Sequence, residues 1–477
     1  LLESELGEGW AREPLLFKWA LLESHLGDRA RAREALDAYL QAFPTGRYAD
    51  RARARLERLA ALDRVEPRTV GVLLPLTGSK AAYGRLARQA VELAFDGSGL
   101  RVVIQDTADD EATAARAVET LVRDEGAITL LGPVFRTESR AAAVMAQRLG
   151  VPLLTISAAE DVPAYGPWVF RNGVTNRAQA EALVEHATRI LGFTRFAILH
   201  PRHPYGEELR DLFWAEVRER GGTVTAVESY AVDATTFSDP VKRMVGRYEP
   251  ERREDYQEAL EACEEERNAY RKARCRDGVA KDLPPLIDFE ALFIPDYARS
   301  VRMISAALAA EDIIVEQDPR RLAVIERTLG RTPEVVTLLG PNGWNNPKIT
   351  ESTGRTVENA VFTDGFFARA DDERTARFVQ AYRERFGREP RLYPEALLYD
   401  SARMLRFVAE ARAPSTREAF RAALLELADY PGVTGDTSFA GRTDARKTLK
   451  LLTIQDGTIQ QVPPADAPLP ASTLPSR

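Results

Sequence analysis

Apolar residues recur at helical spacing along the first sixty residues. Spacings of three and four residues place side chains on one face of a helix. The pattern predicts two helices separated at Gly27 and Asp28, and a third helix from Tyr48 to Leu62. We therefore expect residues 1–64 to form an all-helical segment. The two stripes that carry this prediction are Leu15, Trp19, Leu22 and Leu26, followed by Ala32, Ala35, Leu36, Tyr39, Leu40 and Phe43.

The pattern changes after Pro67 to short apolar runs separated by amphipathic helices. Most runs are continuous rather than alternating, which is typical of parallel strands that are buried on both faces. Strand and helix alternate along the remaining chain, which predicts an α/β fold with right-handed crossovers. The predicted strands are Thr69–Pro75, Arg101–Gln105, Ile128–Leu131, Pro152–Ile156, Phe196–His200, Thr223–Val227, Ala291–Ile294, Val335–Leu339 and Ala360–Thr363.

The number of predicted strands exceeds what one compact open sheet usually carries, so we expect a bilobed α/β body with a parallel sheet in each lobe. The first lobe is predicted to comprise residues 68–176 and 364–445, and the second residues 177–363 and 446–462. Residues 463–477 are rich in proline and are expected to form a disordered tail.

A charged insertion interrupts the second lobe at residues 246–282. More than half of its residues are charged and almost none is aliphatic, which predicts solvated helical structure. It contains both cysteines of the chain, Cys263 and Cys275. In a single helix they would lie about 18 Å apart, too far for a disulfide. A bond between them requires a hairpin, and the sequence leaves both alternatives open.

Composition narrows the possible functions. The 477 residues are 44% hydrophobic and 29% charged, which is enough apolar material for sizeable cores. Lysine and arginine number 65 against 72 aspartates and glutamates, and the resulting net charge of −7 argues against nucleic acid as the main partner. No run approaches the roughly 18 to 20 apolar residues that cross a bilayer. Two cysteines rule out a four-cysteine zinc site.

The common enzyme motifs are absent from the sequence. It contains neither a phosphate-binding loop nor the G-x-S-x-G, H-E-x-x-H and G-x-G-x-x-G patterns. His200 and His203 have a spacing that metal ligands use, but no third ligand is suggested nearby. We therefore expect no catalytic residues, no metal site and no cofactor.

Several segments that follow predicted strands carry glycine and small polar residues, where ligands bind in open α/β sheets. The strand-containing segments "VGVLLPLTGSKAAYGRLARQAVELAF", "ITLLGPVFRTESRAAAVMAQRLGVPLLTISAAE" and "RFAILHPRHPYGEELRDLFWAEVRERGGTV" resemble type I periplasmic binding proteins of the leucine/isoleucine/valine group. The resemblance covers about residues 68–462. It implies two Rossmann-like lobes that close over a small ligand.

The family's ligand-binding pattern implies a set of contact positions in this chain. The family holds an amino acid's charged groups with a serine or threonine after the third strand, a small-small-threonine turn after the fourth, a tyrosine in the second lobe and an acid in a G-P-[DE]-G turn. The matching positions here are Arg136 or Thr137, then residues 158–160, then Asp296 or Tyr297, then Asn342. Asn342 is neutral where the family has an acid, so an ammonium group would lack its usual partner.

Other residues could compensate for this departure. Arg136 could bind a carboxylate and Glu160 an ammonium group, or these two could pair with each other instead. Tyr83, Tyr205 and Trp344 could stack on a ligand or pack between the lobes. The candidate cleft residues are Thr77, Tyr83, Phe135, Arg136, Thr137, Ala158, Ala159, Glu160, Tyr205, Asp296, Tyr297, Asn342 and Trp344.

A narrower resemblance accounts for these departures. The segments "DFEALFIPDYARSVRMISAAL", "LLGPNGWNNPKI", "AVFTDGFFA" and "YPGVTGDTSF" are similar to the penicillin-binding protein activator family. In that family a tetratricopeptide-like N-terminal domain precedes the periplasmic-binding-protein-like domain, and the repeat-like "GDRARAREALDAYLQAFPTGRYADRARARL" of this chain matches it. Its members are outer-membrane lipoproteins that stimulate a peptidoglycan synthase. Any lipid-attachment cysteine would precede Leu1.

The resemblances lead to two function hypotheses. The first is a non-catalytic envelope protein that binds and regulates a peptidoglycan synthase. The resemblance implies a location in the periplasm, either free or anchored to the outer membrane as a lipoprotein that faces the periplasm. The alternative is a periplasmic solute-binding receptor of an ABC transporter, with a branched-chain or other amino acid as its ligand. Neither hypothesis includes a nucleic acid partner or a membrane span.

Overall fold

The computed structural model describes residues 12–26, 29–351, 353–390 and 393–463. It divides into two compact units, of which the first is Leu1–Gly173 with Val379–Arg446 and the second is Val174–Phe378 with Lys447–Arg477. Residues 364–378, which the sequence assigned to the first lobe, group with the second unit because Phe367 and Ala370 belong to its hydrophobic core. The predicted disordered tail lies outside the described residues from position 464 onward.

Three helices precede the first strand, and most of the others lie between strands. In chain order they are α1 (Arg12–Leu26), α2 (Arg29–Ala42), α3 (Ala49–Asp63), α4 (Ala81–Phe95), α5 (Glu111–Arg123), α6 (Arg136–Leu149), α7 (Asn176–Glu185), α8 (Pro204–Glu219), α9 (Ser238–Met244), α10 (Glu254–Glu264), α11 (Ala269–Asp282), α12 (Ala298–Ala310), α13 (Pro319–Leu329), α14 (Glu373–Phe386), α15 (Tyr393–Phe407) and α16 (Arg417–Leu425).

The strands alternate with these helices. In chain order they are β1 (Glu66–Leu74), β2 (Arg101–Asp106), β3 (Ala127–Leu131), β4 (Leu153–Thr155), β5 (Val169–Arg171), β6 (Arg195–Pro201), β7 (Thr223–Tyr230), β8 (Ala291–Phe293), β9 (Thr337–Gly340), β10 (Val361–Asp364), β11 (Thr437–Ser438), β12 (Arg446–Lys447), β13 (Lys450–Gln455) and β14 (Thr458–Gln461). Each strand that the sequence predicted is present, with ends shifted by a few residues.

The first unit contains a five-stranded sheet in the order β2-β1-β3-β4-β5. All neighbouring strands are parallel, with Val70 of β1 opposite Val102 of β2 and Thr129 of β3. Helices α5 and α6 cover one face, where Leu73, Leu130 and the apolar side of α5 form a common core. Because the strands are parallel, their carboxyl ends and the loops that follow them lie along one edge.

The second unit contains a seven-stranded sheet in the order β14-β13-β10-β9-β8-β6-β7. Strands β10, β9, β8, β6 and β7 are parallel, whereas β13 and β14 add an antiparallel hairpin at one side. Successive residues of β6 enter different cores, with Phe196 and Ile198 on one face and Ala197 and Leu199 on the other. Burial on both faces accounts for the continuous apolar runs in the sequence, and the α/β prediction is confirmed.

The N-terminal helices have a small core of their own. The stripe predicted for α2 is confirmed, because Ala35, Leu36 and Tyr39 are buried. The stripe predicted for α1 is wrong, because Phe17 and Ala20 are buried while Leu15 and Leu22 are 42% and 54% exposed. Apolar residues surround most of α1, so spacing alone did not identify the face that packs. Leu59 of α3 then links this core to that of the first sheet.

The charged insertion is a helical hairpin. Helices α10 and α11 pack against each other, and a disulfide joins Cys263 to Cys275 with their Cα atoms 5.7 Å apart. The chain therefore adopts the hairpin, which was one of the two alternatives that the sequence left open.

Candidate functional site

The loop after β1 is fastened to the carboxyl end of β2. The Thr77 hydroxyl donates to Asp106 Oδ2 at 2.5 Å, and the backbone N–H groups of Leu76 and Ala108 donate to Oδ1 at 2.7 and 2.8 Å. Burial alone would raise the pKa of Asp106, but these hydrogen bonds together lower it, so the carboxylate stays ionised. Thr77 is exposed and orders this loop, and its hydroxyl hydrogen already has an acceptor.

An aromatic pair with a neighbouring ammonium group lies beside this loop. Tyr83 of α4 meets Phe135 edge-on, with ring centroids 5.8 Å apart, and the Lys80 ammonium lies 4.4 Å from the Phe135 centroid. Lys80 also pairs with Asp109 in the loop after β2. Tyr83 is 50% exposed, so its ring is available to a ligand. Aromatic rings with an adjacent cation suit a ligand that has both an apolar part and a negative charge.

Glu138 is a feature of this edge that sequence reasoning missed. Its side chain is fully buried, and burial raises its pKa to about 7, with Asp109 raising it further and Lys80 opposing the change. Neither carboxyl oxygen forms a hydrogen bond of good geometry among the described residues, although Asp109 and Thr107 are close enough to affect the pKa. A glutamate in the first turn of a helix is normally solvated, so the sequence gave no signal of its burial.

The remaining candidates of the first unit fall into two groups. Arg136 and Thr137 are exposed in the first turn of α6, and Ala158 and Glu160 are exposed after β4. Ala159 is fully buried and belongs to the core of the first sheet, so its candidacy as a ligand contact is wrong. A cavity of about 650 Å³ in this unit lies elsewhere, along β2 and α4, and contains none of the candidate residues.

The second unit brings two candidate tyrosines together. Tyr205 at the start of α8 stacks on Tyr297 at the start of α12, with centroids 5.5 Å apart and ring planes inclined by 15°. Burial raises the pKa of Tyr205, while Tyr297 is 58% exposed. Asp296 accepts the Tyr230 hydroxyl at 2.7 Å and the Tyr297 N–H at 2.7 Å. These bonds fix the carboxylate of Asp296 beside the exposed ring of Tyr297.

The two candidate residues in the turn after β9, Asn342 and Trp344, differ in burial. The Asn342 N–H donates to Gln179 Oε1 at 2.8 Å, and the residue is half-buried. Trp344 is fully buried in the core of the second unit, and its indole N–H donates to the Ile294 carbonyl at 3.2 Å. The expectation that Trp344 contacts a ligand or packs between lobes is therefore wrong. The indole fills space inside the unit that the missing side chain of Gly340 leaves open.

Asp364 at the end of β10 is a second buried acid that the sequence did not indicate. Burial raises its pKa to about 7, against hydrogen bonds from the Asn345 amide at 2.7 Å and the Gly365 N–H at 2.6 Å. These bonds join the turn after β9 to the end of β10. Asp364 therefore acts as a structural connection to Asn345 rather than as an exposed contact.

The histidine pair is divided by the fold. His200 is buried at the end of β6, where burial lowers its pKa, whereas His203 is exposed and caps α8 by accepting the Tyr205 N–H. Across the described part of the chain, no group of three or more histidine, cysteine, aspartate or glutamate side chains could hold a metal ion. No helix in those same residues is both long and apolar enough to cross a membrane.

Comparison with known sequences identifies the family. The sequence profile of the family described as "Periplasmic binding protein" matches residues 67–246 and 324–463. The chain belongs to the periplasmic binding protein family. The two matched segments include the parallel strands β1 to β7, β9 and β10, together with the hairpin of β13 and β14. Residues 247–323 of this periplasmic binding protein, which contain the disulfide-closed hairpin, are not matched.

Individual relatives agree with this assignment. Leu/Ile/Val-binding protein homolog 3 of Brucella melitensis is 27% identical over 187 residues, which span 37% of this chain and only 50% of that protein. A structure from Rhodospirillum rubrum assigned to a branched-chain amino acid ABC transporter has a TM-score of 0.62 at 24% identity, covering 83% of this chain and 99% of that one. Streptococcus pneumoniae LivJ, solved with isoleucine, has a TM-score of 0.51 at 20% identity, with coverage of 83% and 99%. The structural likenesses establish the type I periplasmic binding fold.

Proposed function

We propose that this chain is a periplasmic solute-binding protein whose ligand is an amino acid or a closely related small carboxylate. Its family membership supports this role, as do relatives that are named for leucine, isoleucine and valine. The proteins that it matches are named for binding and transport, and we propose the same non-catalytic role here. The proposal favours the solute-receptor hypothesis over the synthase-regulator hypothesis that the sequence placed first.

The observation that carries the proposal is the chemistry at the carboxyl edge of the first sheet. Arg136 is exposed in the first turn of α6, where the backbone N–H groups of the helix also favour an anion. Phe135 directly precedes Arg136 in the chain, and its contact with Tyr83 provides an apolar surface there. We assign the ligand's carboxylate to Arg136 and its ammonium group to Glu160, since Asn342 lacks the charge that the resemblance implies at that position.

Calorimetric titration with leucine, isoleucine, valine and their 2-keto analogues tests this assignment. We expect Arg136→Ala to weaken binding by about 30-fold or more, because it leaves a desolvated carboxylate without its partner. Glu160→Gln should weaken the amino acids and leave the 2-keto acids, which have no ammonium group, nearly unchanged.

Arg140→Ala is the matched control, since Arg140 lies one turn further along α6 and pairs with Asp161 at 2.8 Å on the surface. It should bind like the unmodified protein. If none of the amino acids and none of the 2-keto acids binds, the solute-receptor role is contradicted. Unchanged affinity in Arg136→Ala would contradict the residue assignment alone.

A second candidate function is recognition of a peptidoglycan synthase. The helices α1 to α3 lie outside the matched family segments and show two exposed leucines, Leu15 and Leu22, about two turns apart on α1. Exposed apolar side chains on one helix favour contact with another protein. If they serve this role, Leu15→Ser combined with Leu22→Ser should reduce capture of a purified synthase severalfold.

Val144→Ser provides the comparison, because Val144 is 52% exposed on α6 in the same unit. It should leave capture of the synthase unchanged. Equal capture by the double variant and the unmodified protein would exclude α1 as the contact surface.

A further inference from the structure

The disulfide-closed hairpin of residues 254–282, here called the arm, belongs to a stretch that the family profile does not match. Its base is firmly attached to the second unit. The Leu286 N–H donates to the Val245 carbonyl at 3.0 Å, so the chain on either side of the arm is joined directly. The buried Arg253 donates to the Pro284 carbonyl at 2.8 Å and pairs with Asp255. The arm is therefore a helical hairpin whose base is held by hydrogen bonds, and not an irregular loop.

A disulfide and two ion pairs join the facing sides of the two helices of the arm. The disulfide joins the end of α10 to the middle of α11. Glu264 pairs with Lys272 at 2.5 Å and with Arg276 at 3.4 Å across the two helices. These contacts neutralise the charges that face the partner helix. The charged side chains on the outer faces of the two helices therefore contact either solvent or another molecule.

The outer faces of the arm carry two stripes of opposite charge. Every member of each stripe is exposed, Tyr270 by 75%, and among the described residues none of the charged members forms an ion pair. Asp277 lies on the same side of its helix, between Arg274 and Lys281, and the second stripe remains net positive. The acidic stripe, on and just after α10, consists of Glu254, Glu258, Glu261 and Glu265. The basic stripe, on α11, consists of Tyr270, Arg271, Arg274 and Lys281.

The two stripes match in length as well as in charge. Spacings of three, four and seven residues keep the acidic members, and Tyr270, Arg274 and Lys281 of the basic stripe, on one side of each helix, with Arg271 beside them. Glu254 to Glu265 and Tyr270 to Lys281 each span eleven residue steps, or about 16 Å at the helical rise. A surface that carries both halves of a complementary pair fits a second copy of itself. An anionic membrane fits less well, because the acidic stripe beside the basic one would be repelled.

We propose that the arm is a self-association surface, in which the acidic stripe of one copy binds the basic stripe of another. In a two-fold arrangement each copy gives and receives this contact, so it forms twice per dimer. Exposed ion pairs are individually weak and are screened by salt, which makes the dimer sensitive to concentration and ionic strength. Tyr270 adds a flat apolar surface within the contact.

Sedimentation velocity of the full chain tests the proposal. At about 100 µM protein and low salt we expect a dimer that dissociates on dilution, and an apparent dissociation constant at least about tenfold higher in 0.5 M salt. A protein that stays monomeric at low salt, or a dimer indifferent to salt, would overturn the proposal.

Charge exchange identifies the contact itself. Glu258→Lys with Glu261→Lys leaves the acidic stripe with two lysines against two glutamates, and therefore without net charge, whereas Arg271→Glu with Arg274→Glu makes the basic stripe acidic. Each variant alone should be monomeric, because its two stripes no longer attract each other. An equimolar mixture should restore a dimer, through the unchanged basic stripe of the first variant and the unchanged acidic stripe of the second. Since all four side chains are exposed, both variants should keep the melting temperature of the unmodified protein.

Glu181→Lys with Glu219→Lys is the control, because these exposed glutamates on α7 and α8 change the net charge by the same amount away from the arm. The control should dimerise normally. A mixture of the two arm variants that stays monomeric would refute the stripe contact. Binding of the arm to acidic vesicles or to an unrelated acidic protein, in place of self-association, would refute the choice of partner.

Discussion

Glu138 is a fully buried acid beside Lys80 and Asp109, and this position gives the stability of the first unit a pH dependence. In the folded chain it keeps its proton up to about pH 7, whereas an unfolded glutamate loses it near 4.5. The folded state therefore binds more protons between these values. The free energy of unfolding should fall by about 3 kcal/mol as the pH rises from about 4.5 to 7, and level off above.

Glu138→Gln should flatten this dependence, because the neutral amide keeps the shape without the ionisation. Chemical denaturation at pH 5, 6, 7 and 8 measures the effect, and the variant should exceed the unmodified protein in stability at pH 8. Glu181→Gln, at an exposed position on α7, should change nothing. Parallel pH profiles for Glu138→Gln and the unmodified protein would show that Glu138 is ionised without cost in the fold.

Some site residues could be predicted because local pattern decides their exposure, and others could not. Arg136 and Thr137 follow a buried strand at the start of a helix, a position that is exposed in almost any α/β unit. Trp344 also follows a strand, but its indole turns inward against Gly340, where a Cβ atom would lie 2.2 Å from the ring. That contact depends on how the chain folds back on itself, which spacing in the sequence does not reveal.

The disulfide of the arm stabilises one element rather than a whole unit. It closes a loop of twelve residues between Cys263 and Cys275, which in the loop-entropy picture is worth about 3 kcal/mol to the hairpin. Cys263→Ser with Cys275→Ser should therefore make the arm, which is rich in lysine and arginine, much more sensitive to trypsin. Because the base contacts of Arg253 and Leu286 remain, the melting temperature of the chain should shift by only a few degrees.

The unmodified protein treated with reductant should reproduce the variant's digestion pattern. The variant itself should not respond to reductant, since both cysteines are gone. Equal digestion of the oxidised protein and the variant would mean that the helix packing alone holds the arm closed.

Where a helix has a single apolar face, the sequence predicts which side is buried. Where apolar residues surround the helix, the sequence does not predict the buried side. The larger apolar residues of α5 lie on one side of the helix, and Val118, Leu121 and Val122 are all buried. Helix α1 is apolar nearly all round, so its contact with Tyr39 and Tyr48 decided its orientation. The hairpin of β13 and β14 was missed, although Asp456-Gly457 between them is a common two-residue turn whose residues both have positive φ.

At the scale of the whole molecule, the chain is a periplasmic binding protein with two additions. The matched segments supply a parallel sheet in each unit, and these follow directly from the alternation of apolar runs and amphipathic helices. The helices α1 to α3 and the arm lie outside those segments. We expect ligand selectivity to depend on the matched parts and protein contacts on the additions, so removal of the arm should leave amino-acid binding intact.

The base of the arm is also a suitable place to insert another protein into the second unit. Because the Leu286 N–H bonds to the Val245 carbonyl, the two chain ends that border the arm are already adjacent, and the unit folds with an extra forty residues between them. A fluorescent protein whose own termini are close together could replace residues 254–282 without stretching either partner. Such a chimera would place a fluorescent label at a defined position on the second unit.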